Sequence, residues 1–200
     1  MVAFLCVNLL VFVLELIGLR KVYGEVGESW LIYYTQLSNI FLLGAAFINI
    51  TGAVGCLASG NESNLPMWAW RIFHAAVSAT TVTFLVVLLV LSWMYGDLWY
   101  VLTAGSMLYT HSLCPLMALG AFVGFAPKRF KKMDAIRATS FTAIYGLVTI
   151  VLNATRVMKG PYPFLYVYEQ PIWATVFWAV TIIGGAYVLS RLILVRKIEK

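Results

Sequence analysis

The apolar stretch VAFLCVNLLVFVLELIGL, residues 2–19, decides the fold class of this chain. It approaches the roughly 20 residues that cross the hydrocarbon core of a bilayer as an α-helix, and residues 75–93 form a second such stretch. Only 11% of all residues are charged, against about 25% in soluble domains. The period-2 alternation of a membrane β-barrel is absent. The sequence therefore predicts an all-α polytopic membrane protein.

Six apolar segments predict six transmembrane helices in a single domain that covers residues 1–200. The predicted segments are residues 2–22, 30–57, 70–95, 98–125, 135–157 and 171–195. The connections are short and polar, so no linker separates two domains. The first segment has neither a basic stretch before it nor a small-residue cleavage site, which favours a membrane helix over a cleaved signal peptide.

The basic residues are divided unequally between the two ends of this predicted bundle. Ten lie at the end that carries both termini: Arg71, Lys128, Arg129, Lys131, Lys132, Arg137, Arg191, Arg196, Lys197 and Lys200. The other end has four: Arg20, Lys21, Arg156 and Lys159. Because basic residues are retained on the cytoplasmic side, we expect both termini in the cytoplasm. This distribution accounts for the net charge of +6 without nucleic-acid binding. The short loops favour a prokaryotic plasma (inner) membrane.

Polar side chains inside the predicted spans are the candidate functional residues, because they are costly in a bilayer. Thr35, Ser38 and Asn39 share one face of the second predicted helix. His111 lies in the fourth, four residues before Pro115. A proline has no N–H for the His111 carbonyl, so the helix should bend there beside a cavity. The simpler alternative for all four polar residues is hydrogen bonding between helices.

Three further residues are candidates for binding a substrate. Glu15 is the acidic residue of the first predicted helix, and it could orient His111, pair with Arg20 or stay protonated. Asn153 and Arg156 lie near the end of the fifth predicted helix. Arg156 suits a carboxylate headgroup, or it anchors the span at the interface.

The other potentially reactive side chains favour structural roles. Cys114 shares a helix face with His111, but a buried thiol is usually inert. His74 lies near the membrane interface in the third predicted helix, where we expect a structural role. The sequence has no cluster with metal-ligand spacing and no glycine-rich phosphate loop. We therefore expect neither a metal nor a cofactor.

Three short motifs occur in order along the predicted spans. They are Gly-Glu-Ser-Trp at 27–30 with Tyr-Thr at 34–35, Tyr-Thr-His-Ser-Leu-Cys-Pro at 109–115, and Gly-Pro-Tyr-Pro-Phe-Leu at 160–165. Together they resemble the androgen-induced / FAR-17a family of membrane proteins. That family includes the androgen-dependent TFPI-regulating protein and hydrolases of fatty-acid esters of hydroxy fatty acids (FAHFA). The sequence Thr-Gln-Leu-Ser-Asn, residues 35–39, looks more like the prokaryotic branch.

The resemblance implies an intramembrane threonine hydrolase that cleaves a lipid ester, with Thr35 as nucleophile and His111 as base. A threonine hydroxyl needs a base to become a nucleophile, and histidine accepts protons near neutral pH. Ser38 and Asn39 would then stabilise the oxyanion.

The predicted helix starts leave one geometric difficulty. At ~1.5 Å per residue, Thr35 lies roughly 8 Å below Trp30 and His111 roughly 20 Å below Leu98. The two depths match only if the spans start at different heights, tilt or bend. A start of the fourth helix near Thr103 would nearly remove the discrepancy.

Two other functions remain open at the level of sequence. One is a non-enzymatic lipid- or small-molecule-binding protein or transporter that uses the same polar cavity. The other is an assembly partner whose polar groups only hold helices together. The expected partners are membrane lipids or a lipid-ester substrate, and the sequence leaves a homo-oligomer possible.

Overall fold

The computed structural model describes residues 1–60 and 65–199, so part of the predicted connection 59–66 and Lys200 lie outside the described residues. The helices are α1 (Val2–Val26), α2 (Tyr34–Ala58), α3 (Met67–Tyr95), α4 (Leu98–Thr103), α5 (Leu108–Phe125), α6 (Lys132–Ala154) and α7 (Ile172–Leu194). Within the described ranges, six helices are long and apolar enough to cross a membrane. This confirms the predicted helical membrane class.

The second span begins later than residue 30, where the sequence predicted its start. Gly27–Ile32 forms a 3₁₀ helix after α1, and Tyr33 is extended (φ −84°, ψ 134°). The aromatic and aliphatic residues before Tyr34 continue the hydropathy of the span, although the backbone turns among them. Thr35 is therefore the second residue of its helix.

The predicted fourth span, residues 98–125, is divided into α4 and α5 by a turn. Gly105 has φ +54° there, and a Cβ at this position would lie 2.6 Å from Oε1 of Glu25. The Glu25 carboxylate accepts hydrogen bonds from the Ser106 N–H (3.1 Å) and the Ser106 hydroxyl (2.5 Å). The turn thus depends on Gly105 and on the Glu25 carboxylate from the end of α1. A hydropathy pattern does not reveal either requirement.

The bend expected at Pro115 takes the form of a π-helical stretch, Leu108–Leu113, at the start of α5. A proline cannot donate to the carbonyl four residues before it, and wider turns of this kind are frequent at functional sites. A second π-helical stretch, Val87–Leu91, lies in α3. Leu91 and His111, one from each stretch, line the same cavity.

Aromatic rings fill the end of the bundle that carries both chain termini, which we call the termini end. Phe4 packs against Trp70 with ring centroids 5.0 Å apart, and Phe122 packs against Phe130 at 5.4 Å. His74 lies among these rings and is 1% exposed, so it packs inside the bundle at this end. The C-terminal segment returns here, because the Phe130 N–H donates to the Lys197 carbonyl at 3.1 Å.

Candidate functional site

A cavity of about 300 Å³, here called the chamber, lies at the end of the bundle opposite the termini. Its walls come from the ends of α1 and α3, the start of α2, the α4–α5 region and the segment after α6. The polar side chains of its lining include Glu25, Thr35, Gln36, Ser106, His111 and Tyr162. The two residues that the family resemblance singled out, Thr35 and His111, therefore border one cavity.

The late starts of α2 and α5 remove the difference in depth between Thr35 and His111. Thr35 is the second residue of α2 and His111 the fourth of α5. At ~1.5 Å per residue, each lies within roughly one helical turn of the start of its span. The mismatch came from the predicted starts at residues 30 and 98, which the structure corrects.

The short helix α4 orients the His111 imidazole. Nδ1 of His111 lies 2.7 Å from the carbonyl oxygen of Val101. This carbonyl belongs to the last turn of α4, where carbonyls have no partner within the helix. A carbonyl only accepts, so Nδ1 carries the proton and Nε2 of the neutral ring keeps its lone pair. The Ser112 hydroxyl donates to the next carbonyl, that of Leu102, at 2.7 Å.

The Thr35 hydroxyl lies beside a tyrosine that sequence reasoning did not list as a site residue. The Tyr162 hydroxyl oxygen is 3.4 Å from both the backbone nitrogen and Oγ1 of Thr35. The Tyr162 ring stacks on Phe164 with centroids 5.2 Å apart. Tyr162 belongs to the motif at 160–165, so the motif was the signal that could have identified it. Within residues 1–60 and 65–199, no hydrogen bond joins Thr35 directly to His111.

Ser38 and Asn39, predicted to stabilise an oxyanion, form hydrogen bonds that hold the helices around the site. Nδ2 of Asn39 donates to the carbonyls of Thr35 (2.7 Å) and Thr110 (3.1 Å). The Ser38 hydroxyl donates to the Thr35 carbonyl and meets Oγ1 of Thr83, both at 2.9 Å. Because these donors are engaged and neither residue lines the chamber, their geometry fixes α2 against α5 and α3.

Glu15 lies apart from the chamber lining. Its side chain is 0% exposed and sits beside the Cys114 thiol, and neither carboxyl oxygen accepts a hydrogen bond of normal geometry. Among the described residues, Glu15 makes no ion pair with Arg20 and no hydrogen bond to His111. The structure thus places Glu15 beside Cys114 and not in contact with either of its predicted partners.

Asn153 and Arg156 border a different cavity, of about 220 Å³, at the same end of the bundle. The Arg156 guanidinium lies 4.7 Å from the centre of the Tyr168 ring. Lys159 lines this cavity too, and its hydrogen bond to Glu169 raises its pKa. The structure therefore does not bring Asn153 and Arg156 together with Thr35 and His111.

A narrow apolar cavity, here called the slot, adjoins the chamber and has a volume of about 60 Å³. It runs between α3, α6 and α7. The apolar part of its lining includes Val82, Val86, Gly146, Ile150, Trp178 and Ile182. Thr35, Leu91 and Tyr162 border both the slot and the chamber. The candidate nucleophile therefore lies where a polar and an apolar cavity meet.

The fold and the site define a helical membrane protein with a threonine–histidine chamber at one end of its bundle. Comparison of the chain with known protein families, with curated proteins and with solved structures finds no match. The resemblance to the androgen-induced / FAR-17a family therefore rests on the three motifs alone and stays a prediction.

Proposed function

We propose that this chain is an intramembrane hydrolase that cleaves a lipid ester of the FAHFA type, with Thr35 as nucleophile and His111 as base. One observation carries the proposal: the chamber holds the Thr35 hydroxyl together with a histidine whose Nδ1–H is held by Val101. That hydrogen bond leaves Nε2 free to accept a proton, as a general base must.

The reaction proceeds in two balanced halves. Oγ1 of Thr35 attacks the ester carbonyl carbon while its proton passes to Nε2 of His111. The C–O bond to the alcohol then breaks, and the alcohol leaves with the proton from the imidazolium. Water attacks the resulting acyl-threonine, again giving its proton to His111. The carboxylic acid departs and Thr35 recovers its proton.

Tyr162 supplies the donor that the sequence assigned to Ser38 and Asn39. Its hydroxyl lies 3.4 Å from the Thr35 oxygen, and a donor beside the nucleophile can stabilise the charge that develops on the carbonyl oxygen. Because Thr35 and His111 share no direct hydrogen bond among the described residues, their alignment is completed when the ester occupies the chamber. Such tightening on substrate binding is common for catalytic groups.

The distribution of basic residues supports an orientation for this site. With ten of them at the termini end and four at the other, both termini lie in the cytoplasm and the chamber lies towards the outer face of a plasma (inner) membrane. Protease protection of tags added at either terminus, in sealed inside-out and right-side-out vesicles, tests this placement.

A second candidate function is non-enzymatic binding or transport of a lipid or small molecule. The observation that favours it is that Oγ1 of Thr35 has Tyr162, not the His111 base, as its side-chain hydrogen-bond partner in the described structure. The same chamber would then serve only as a binding site.

Labelling with a lipophilic fluorophosphonate, followed by mass spectrometry of the modified peptide, separates the two functions. The enzyme should carry the label on Thr35, lose it in Thr35→Ala and retain part of it in Thr35→Ser. Thr80→Ala is the matched control, because Thr80 is buried but bonds only to carbonyls of its own helix. If folded Thr35→Ala hydrolyses the ester at the wild-type rate, the proposed mechanism is wrong. A folded wild-type protein with neither label nor hydrolysis supports the binding function.

A further inference from the structure

We propose that the slot holds the acyl chain of the ester and that Gly146 limits its length. This inference rests on the proposed hydrolase function and extends it to the substrate. It assigns the acyl half of the ester to the slot and the alcohol half to the chamber.

The position of Thr35 supports this division. Thr35 and Tyr162 border both cavities, so a carbonyl carbon in reach of Oγ1 lies at their junction. The two halves of an ester extend from that carbon in opposite directions. One half therefore enters the slot and the other the chamber.

The slot is unsuited to a polar half of the ester, because the hydroxyl groups in its lining already form hydrogen bonds with other protein groups. The Tyr34 hydroxyl lies 2.7 Å from Oγ1 of Thr142, and the Tyr145 hydroxyl donates to the Ile32 carbonyl at 2.8 Å. Oγ1 of Thr83 is engaged by Ser38. A polar group placed here would lose its hydrogen bonds to water without replacement, whereas a hydrocarbon chain would not.

The shape and the opening of the slot also suit an acyl chain. Its volume of about 60 Å³ leaves room only for a narrow group, such as the first methylenes of an unbranched chain. Gly146, Ile150, Trp178 and Ile182 in its wall are all partly exposed. These residues belong to α6 and α7, and exposed neighbours such as Leu147 and Val180 are apolar. A chain can therefore enter sideways from the hydrocarbon core of the bilayer.

Gly146 provides the room within this wall. A Cβ built at residue 146 meets no heavy atom within 4 Å, and the glycine has no positive φ. Glycine inside a helix is unfavourable by roughly 0.5–1 kcal/mol relative to alanine, so Gly146→Ala should not destabilise α6. A larger side chain here fills the slot without straining α6.

A series of p-nitrophenyl esters measures this limit directly. Gly146→Leu should lower the ratio of kcat/KM for palmitate to that for butyrate by about tenfold or more, as excluded methylenes do in apolar pockets. Gly146→Ala should give a smaller change in the same direction. Gly184→Leu is the matched control, because its Cβ also finds open space and Gly184 does not line the slot. An unchanged ratio in Gly146→Leu overturns the length assignment.

Photocrosslinking separates this proposal from the hydrolase proposal. A palmitoyl ester with a diazirine at the end of its chain, bound to Thr35→Ala, should label peptides of α6 and α7. The added Gly146→Leu substitution should remove that label. If the slot is labelled but the wild-type protein hydrolyses no ester, the hydrolase proposal is wrong and the assignment of the slot as a binding site is supported. If the wild-type protein hydrolyses the ester but the crosslinks occur at Tyr100 in the chamber, the hydrolase proposal is supported and the assignment of the acyl chain to the slot is wrong.

Discussion

The two histidines of the chain lie at opposite ends of the bundle, and their surroundings differ in kind. At the termini end, His74 packs against Phe122 with ring centroids 5.3 Å apart, and Nε2 lies 3.2 Å from the Ser190 hydroxyl. At the opposite end, His111 borders a cavity of about 300 Å³, and Nδ1 lies 2.7 Å from the Val101 carbonyl oxygen. The His74 ring is packed among other side chains, whereas the His111 ring borders a cavity.

This difference separates a closely packed end of the bundle from an end that encloses a polar cavity. The termini end is closed by interlocking aromatic side chains, which keep its helices together. The opposite end uses a short helix, two π-helical stretches and backbone carbonyls to hold polar groups around open space. Substitutions at the termini end should therefore change stability, and substitutions at the chamber should change activity.

His111→Ala should have the largest effect on activity. Loss of a general base lowers the rate by about 10²–10⁴-fold, and we expect ester hydrolysis to fall by that factor. The lost hydrogen bond to Val101 is worth only about 1 kcal/mol, so thermal unfolding should change little. Hydrolysis rates and melting curves of the purified variant check both statements.

Cys114→Ser is the control for His111→Ala, since Cys114 lies three residues along and does not line the chamber. Its hydrolysis rate should stay near that of the wild type. If Cys114→Ser abolishes activity in a folded protein while His111→Ala does not, the roles assigned to the two residues are wrong.

Trp70→Ala should lower the stability of the protein and leave its activity unchanged, the reverse of the effect expected for His111→Ala. Truncating a buried tryptophan costs about 3–5 kcal/mol in soluble proteins. In a membrane the cost should be smaller, because lipid tails already solvate apolar groups and only packing is lost. Equilibrium unfolding in mixed detergent measures the loss. Activity per folded molecule should be retained, and a selective fall in kcat would show that the two ends are coupled.

Tyr162→Phe should have the smallest effect of the three. It removes the hydroxyl beside Thr35 but keeps the ring that stacks on Phe164. We expect a loss of about tenfold in kcat, less than for a well-aligned oxyanion donor because the distance is long. Tyr166→Phe, at the neighbouring cavity, is the control. Equal rates for Tyr162→Phe and the wild type would remove Tyr162 from the mechanism.

Hydropathy predicted the helical membrane class but misplaced the starts of two spans. Apolar residues such as Leu31 and Val101 lie before the turns of the backbone, so they extend the hydropathy signal ahead of the true starts of the two spans. The break before α5 depends on Glu25, which is distant in sequence from Gly105 and Ser106. Contacts of this kind form only when helices pack, so a local pattern does not contain them.

The residues of the candidate site could be predicted where short motifs contained them. Their hydrogen-bond partners could not, because those partners depend on how the helices pack. Thr35 and His111 were predicted from motifs and border the same chamber. For Ser38, periodicity gave the helix face but not the partner of the hydroxyl. Val101 acts through its backbone carbonyl, which has no signature in the amino-acid sequence.

The π-helical stretch Leu108–Leu113 makes the site sensitive to chain length as well as to side-chain identity. A π-turn corresponds to one residue inserted into an α-helix. Deleting one residue there would restore α-helical geometry and rotate His111 by about 100° relative to the rest of α5. The span would remain as apolar as before. Loss of a single codon is therefore enough to turn His111 away from its present position while the span keeps its hydropathy.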